Sequence, residues 1–145
     1  MPKPDRSSPP GKKKKTVVMV VDDEPTVRET IIEILQDEGF DALGMSSAAH
    51  ALLWIERIQP DIVLSDIVMP GMNGIEMAIQ LMSTRPNCRV ILFTGHPAAP
   101  DLLKKAVEQG HNFEVFSKPI NPDQLIPRLR EKTDLSPRQG PPQRS

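Results

Sequence analysis

The stretch 17-VVMVVDDEP-25 runs five apolar residues into three adjacent carboxylates, Asp22, Asp23 and Glu24. Adjacent carboxylates repel one another; alone they read as solvated loop charges, but gathered with a further acid in one pocket they would call for a counter-charge. Oxygen donors favour a hard cation, Mg2+ above all, which takes a few carboxylates and keeps positions for water and phosphate oxygens. Another acid, Asp66, ends the run 61-DIVLSD-66; Thr94 ends 90-VILFT-94; Lys118 follows 115-VFS-117. A carboxylate can attack phosphorus to give an aspartyl phosphate, and Asp66, alone at the end of its run, is the natural nucleophile. An ammonium at Lys118 and a hydroxyl at Thr94 can each bind a phosphate oxygen, and Gly95 beside Thr94 leaves space for the phosphate. Glu24 lies beyond the acid pair and is read as a first-turn charge favourable to the dipole of the next helix.

These residues do chemistry together only if the fold collects them. Residues 17–21 form a continuous apolar run, rich in β-branched side chains, as expected for a strand buried on both faces. Residues 25–38 place Val27, Ile31, Ile34 and Leu35 at helical spacing, with Pro25 tolerated at the start and Gly39 as the stop. A short strand over 42–45 and a helix over 48–58, capped by Ser47 and ended by Pro60, come next. The third strand, 62–65, ends at Asp66. The loop 69-MPGMNG-74 leads into a helix over 74–84, where Asn73 and Glu76 resemble a capping box. A fourth strand over 89–93, a helix over roughly 100–109, a fifth strand over 113–116 and a last helix opened by Asn121 and Pro122 complete five strand–helix units.

Such alternation predicts an α/β, three-layer flavodoxin-like fold, a parallel sheet with helices on both faces. Ligands in these folds bind beyond the carboxyl ends of the strands, at the switch point in strand order. If the order is the flavodoxin-like 2-1-3-4-5, the first and third strands are neighbours, and Asp22, Asp23 and Asp66 would converge on one pocket. Thr94 and Lys118 end the next two strands.

The length, 145 residues, gives one domain with room for a core. Residues 1–15 sum to +5 and 131–145 to +1, so a chain of net charge −1 leaves −7 on 16–130. An acidic body is a poor match for nucleic acid and a better one for a cation or a basic partner. Cys88 is the one cysteine, so no disulfide framework or thiolate metal site is expected. The apolar run near the N-terminus is too short for a signal sequence or membrane span, and the protein is read as cytoplasmic. Segments 1–15, basic and proline-rich, and 131–145 read as disordered tails around a domain at 16–130. Met69, Met72, Met77 and Met82 are read as loop and core filler, and Trp54 as a partly buried packing residue. His50, His96 and His111 lack metal-ligand spacing.

The motifs VVDDEP, PDIVLSDIVMPGMNG, ILFTG and FSKP each end their own strand, in order. Together they resemble the response-regulator receiver family of bacterial two-component signalling (CheY-like), over about residues 16–130. The resemblance implies that Asp66 is the phosphoacceptor. It implies that Asp23, Asp66 and the backbone carbonyl of Val68 bind Mg2+, that Asp22 holds a metal-bound water, and that Thr94 and Lys118 contact and sense the phosphoryl group. It implies a cis Lys118–Pro119 bond, a position for His96 flanking the phosphate, and a phosphohistidine donor on a sensor histidine kinase or phosphotransfer protein. The output is a change in protein–protein interactions in signalling or a phosphorelay, with room for a phosphorylation-dependent homodimer and no role for DNA or membrane. The downstream target is not named by these residues.

Three departures accompany the resemblance. Val115 stands where the family often has an aromatic switch residue, and alternation puts Phe116 on the other face. Pro127 falls inside the last helix, where it costs roughly 3 kcal/mol in a regular helix, so a kink or early break is expected. No output domain is expected after residue 130, so the chain is read as a stand-alone receiver or one cut from a larger regulator or hybrid kinase; Met1 and the two tails favour the first expectation. Other readings fare worse. A phosphatase with an aspartate nucleophile wants a second acid two residues on, where this chain has Val68, so no turnover of an external substrate is expected. A flavin module would find the acids after the first strand hostile to phosphate. A receiver that works without phosphorylation would not need the complete set Asp22, Asp23, Asp66, Thr94 and Lys118.

Overall fold

A computed structural model of the chain describes residues 15–131. The expected disordered tails over 1–14 and 132–145 lie outside the described residues. The elements alternate as β1 (Val17–Val21), α1 (Pro25–Asp37), β2 (Asp41–Met45), α2 (Ala48–Ile58), β3 (Ile62–Asp66), α3 (Gly74–Thr84), β4 (Arg89–Thr94), α4 (Ala99–Glu108), β5 (Glu114–Ser117) and α5 (Pro122–Arg130). All strand pairings are parallel, as the alternation implies, and the order is β2-β1-β3-β4-β5, the one expected for a flavodoxin-like fold.

The strands are covered on both faces. Val18, Val20, Ile62, Leu64, Ile91 and Phe93 turn toward α1 and α5, meeting Ile31, Leu35, Leu125 and Leu129. Met19, Val21 and Val63 turn the other way, onto Ala48, Ala51 and Ile55 of α2 and Met77 and Leu81 of α3. Leu92 and Ile67 complete that layer with Ile75, Ala99 and Ala106. Each large apolar side chain buried in this way contributes about 1.5–3 kcal/mol. That burial holds the carboxyl ends of β1, β3 and β4 in fixed register, with Val21 opposite Ser65 and Asp66 opposite Phe93.

Helix ends follow their local chemistry. Ser47 accepts from the His50 N–H at 3.0 Å, and Asn73 and Glu76 form the full capping box at 2.8 and 2.9 Å. Gly39 and Gly110 take positive φ, 93° and 92°, just after α1 and α4, which a side chain would strain. Trp54 is 37 % exposed, with the Arg57 guanidinium 5.5 Å from its ring centroid. Three of the four methionines named above are buried or half-buried, but Met82 faces solvent.

Two expectations are corrected. Glu24 stands at the N-cap of α1, outside the first turn, and makes no side-chain cap. The last helix does not break at Pro127: α5 continues through it to Arg130, with Leu125, Ile126 and Leu129 buried. The carbonyl that Pro127 deprives of a donor belongs to Asp123, in the exposed first turn, where water can replace the bond. The buried side chains on either side of Pro127 then hold the helix to the sheet.

Candidate functional site

Asp22 is the first residue beyond β1, and three of its four polar groups are tied down. Its N–H donates to the Met45 carbonyl at 3.1 Å. Its carbonyl accepts from Arg28 Nη1 at 2.8 Å. Its Oδ1 accepts from the Glu24 N–H at 2.9 Å. Oδ2 is buried and has no hydrogen-bond donor; the nearest cation is Lys118 Nζ, at 3.5 Å. Burial pushes the Asp22 carboxyl above its usual range, and the neighbouring Asp66 adds to this, against the opposing pull of the Glu24 N–H and Lys118.

Asp66 ends β3 and is buried. Its Oδ2 accepts from Lys118 Nζ at 3.2 Å. Its carbonyl accepts from the Ser65 hydroxyl at 2.8 Å, and the first residue of α3, Gly74, packs directly on it, where a Cβ would overlap the carbonyl oxygen. Lys118 projects from just after β5, its N–H bonded to the Thr94 carbonyl at 2.7 Å and its ammonium 5.3 Å from the Phe93 ring. Partial burial lowers the Lys118 pKa, but the charge of Asp22 and the hydrogen bond to Asp66 outweigh it and the net shift is upward. The Lys118–Pro119 bond is cis.

Thus Asp22, Asp23 and Asp66 each bring a carboxylate oxygen within 4.8 Å of the others, with Lys118 bridging the inner two. Asp23 is partly exposed. Thr94 Oγ1, at the end of the strand beside Asp66, is buried with no hydrogen-bond partner. A cleft of about 760 Å3 opens over the group, lined by Asp23, Asp66, Val68, Gly95, His96 and Lys118, and continues along α1 past Val27 and Ile34 to Ile120. An all-oxygen acid cluster whose deepest carboxylate oxygen has no donor suits a hard divalent cation.

The residues singled out in the sequence divide accordingly. The three aspartates and Lys118 meet; Thr94 and Val68 border them; His96 lies on the rim with Nδ1 accepting from the Ala98 N–H at 3.0 Å. Val115 does not line the cleft and is 36 % exposed. Gly95 lines the cleft, and a Cβ there would also come within 3.1 Å of Lys118 Cβ, so the missing side chain clears the lysine stem. Sequence reasoning missed Gly74, Arg28 and the Glu24 N–H. Gly74 was detectable as a glycine at a helix start, a place favoured by other residues. Arg28 was detectable as a cation near the positive end of a helix, where the dipole disfavours it.

Residues 18–130 match the family described as the response regulator receiver domain. The DNA-binding response regulator MtrA of Mycolicibacterium smegmatis is 30% identical over 111 residues, 77% of this chain and 47% of that protein. The C4-dicarboxylate transport transcriptional regulatory protein DctD of Rhizobium meliloti is 31% identical over 109 residues, 75% of this chain and 23% of its own length. The chain therefore spans less than half the length of either relative. Among solved structures, a CheY-like receiver domain protein of Methanospirillum hungatei superposes with a TM-score of 0.72 at 25% identity, over 81% of this chain and 93% of that one. The response regulator TrrA of Thermotoga maritima, in complex with Mg(2+)-BeF, gives 0.68 at 30% identity, over 79% and 96%.

Proposed function

Because the chain belongs to the response regulator receiver family, we propose that it is a phosphorylation switch in which Asp66 accepts a phosphoryl group from a phosphohistidine. The observation that carries the reading is the Lys118 ammonium seated between Asp66 and Asp22, at 3.2 and 3.5 Å, in a pocket with three convergent carboxylates. Asp22, Asp23, Asp66 and the Val68 carbonyl would hold Mg2+, Asp22 through a water. The ion supplies charge neutralisation between the attacking carboxylate and the incoming phosphate.

The chain's own residues do the rest. An Asp66 carboxylate oxygen forms the new O–P bond, and the P–N bond to the donor imidazole breaks, its electron pair staying on nitrogen. Lys118 moves from the carboxylate to a phosphoryl oxygen, and the Thr94 hydroxyl, which has no partner in the resting site, donates to another. Thr94 moving inward draws on the segment before α4, and the face around α4 changes for a partner protein. The donor is a sensor histidine kinase or phosphotransfer protein. Hydrolysis of the acyl phosphate resets the switch, and no external substrate is turned over. We place the switch in the cytoplasm; among the described residues no helix is long and apolar enough to cross a membrane. The DNA binding named for MtrA is not extended to residues 16–130, whose charge of −7 repels a phosphate backbone.

The test is the intact mass after incubation with acetyl phosphate and Mg2+. One phosphoryl group should be gained, and lost both in Asp66→Asn and with EDTA. A gain that survives in Asp66→Asn would overturn the assignment of the acceptor.

A further inference from the structure

Asp22 and Asp23 share one peptide unit, and its orientation sets where the Asp23 carboxylate goes. The carbonyl of that unit accepts from Arg28 Nη1 at 2.8 Å. Arg28 reaches it from α1 along a path that crosses β2 at Gly44. A Cβ at Gly44 would lie 2.9 Å from Arg28 Cδ and 2.9 Å from Ile32 Cδ1, with Arg28 Cγ at 3.1 Å. Nothing about its φ requires a glycine there, and a glycine inside a strand weakens it. The gap is explained by the arginine stem that occupies it.

We propose that Arg28, given passage by Gly44, is a positioning residue for the metal site: it fixes the Asp22–Asp23 peptide so that Asp23 is aimed at the cation. The proposal rests on the metal-assisted reading above. Its sign separates it from a bystander role. Arg28 is a cation near a cation site, and by charge alone it opposes Mg2+ binding. Removing the charge should therefore tighten binding, or leave it alone, unless the arginine also holds the ligands in place.

The experiment is calorimetric titration of the full chain with MgCl2, without phosphodonor, alongside thermal melts in EDTA. Arg28→Met keeps the stem and removes both charge and donor. Affinity is expected to fall roughly tenfold, the lower end of what lost outer-sphere support costs a metal site, while the melt in EDTA still shows a folded protein at the assay temperature. Equal or tighter Mg2+ binding by Arg28→Met overturns the proposal. If that variant does not fold, Gly44→Ala serves instead: it keeps the charge, crowds the stem and should weaken binding in the same direction, and unchanged affinity there overturns the proposal equally. If the unaltered chain itself takes up no Mg2+, the metal reading fails and the proposal with it.

Discussion

Asp22 is a carboxylate held where ionisation is disfavoured, and that has a consequence for stability. Its folded pKa lies above the unfolded value of 3.8. The native state therefore binds the proton more tightly, and this contribution favours folding at acid pH and is lost as pH rises through the raised pKa. Wherever it is ionised, the side chain works against the metal-free fold. Lys118 has the opposite consequence at the other end of the scale: its raised pKa stabilises the fold below about 10.5 and ceases to do so as pH climbs past the folded value. Replacing Asp22 by Asn removes the buried charge and leaves Lys118 its closer partner, Asp66. We expect Asp22→Asn to be more stable than the parent by about 1 kcal/mol in EDTA at pH 7, as removal of a poorly compensated buried charge allows. The order should reverse in Mg2+ at a concentration that saturates the parent but not the variant, because the parent, with its full ligand set, gains more from binding; at a hundredfold excess over its Kd that gain is about 2.7 kcal/mol. Urea denaturation with and without Mg2+ measures both, and a variant less stable than the parent in EDTA would refute the argument.

At the scale of elements, the loop between β3 and α3 is built around one close approach. Gly74 donates its N–H to the Ile67 carbonyl at 2.8 Å and lies against the Asp66 carbonyl with no room for a methyl group. The capping box of Asn73 and Glu76 then fixes the first turn of α3. Gly74→Ala must push α3 away from the strand end or rotate the Asp66 peptide. Overpacking of this kind costs about 1–3 kcal/mol, and because Asp66 is the displaced residue, its rate of phosphorylation by acetyl phosphate should fall as well. Denaturation and intact-mass time courses on the same preparation check the pair. A destabilised variant with unchanged rate would show that the loop carries stability alone. The elements were largely legible beforehand, since buried apolar runs, helical spacing and capping residues are local signals. The break expected at Pro127 does not occur because the carbonyl it orphans lies in an exposed first turn, where water can take the place of the lost donor. The Arg28–Gly44 passage was not legible as a pair: a cation near the start of a helix and a glycine inside a strand are each out of place locally, but no local signal joins them across sixteen residues of chain.

Across the whole molecule, the two layers of helices leave the carboxyl edge of the sheet as the place where β1, β3, β4 and β5 each present a polar residue. This convergence could be read from sequence because each motif ends a strand, once the flavodoxin-like strand order is taken as the expectation. Which side the response leaves by could not, since Val115 faces outward and cannot turn inward as a ring would. Under the proposed switch the response travels through the backbone between Thr94 and Lys118, whose ends are joined by the 2.7 Å bond. Hydrogen exchange with and without Mg2+ and beryllofluoride should therefore change between residues 94 and 118 and little in α2; a uniform change would argue against a local relay. The buried Thr94 hydroxyl adds one thing more. An unsatisfied polar group of this kind costs about 1–3 kcal/mol, and a gap of a few kcal/mol between two states leaves the minor one at about 0.1–10%. A resting conformation that carries this penalty sits closer to its alternative than one with every group paired. Under the proposed switch the protein would then have a noise floor, some output without any phosphate, set by a threonine, and Thr94→Val should silence the background and the signal together.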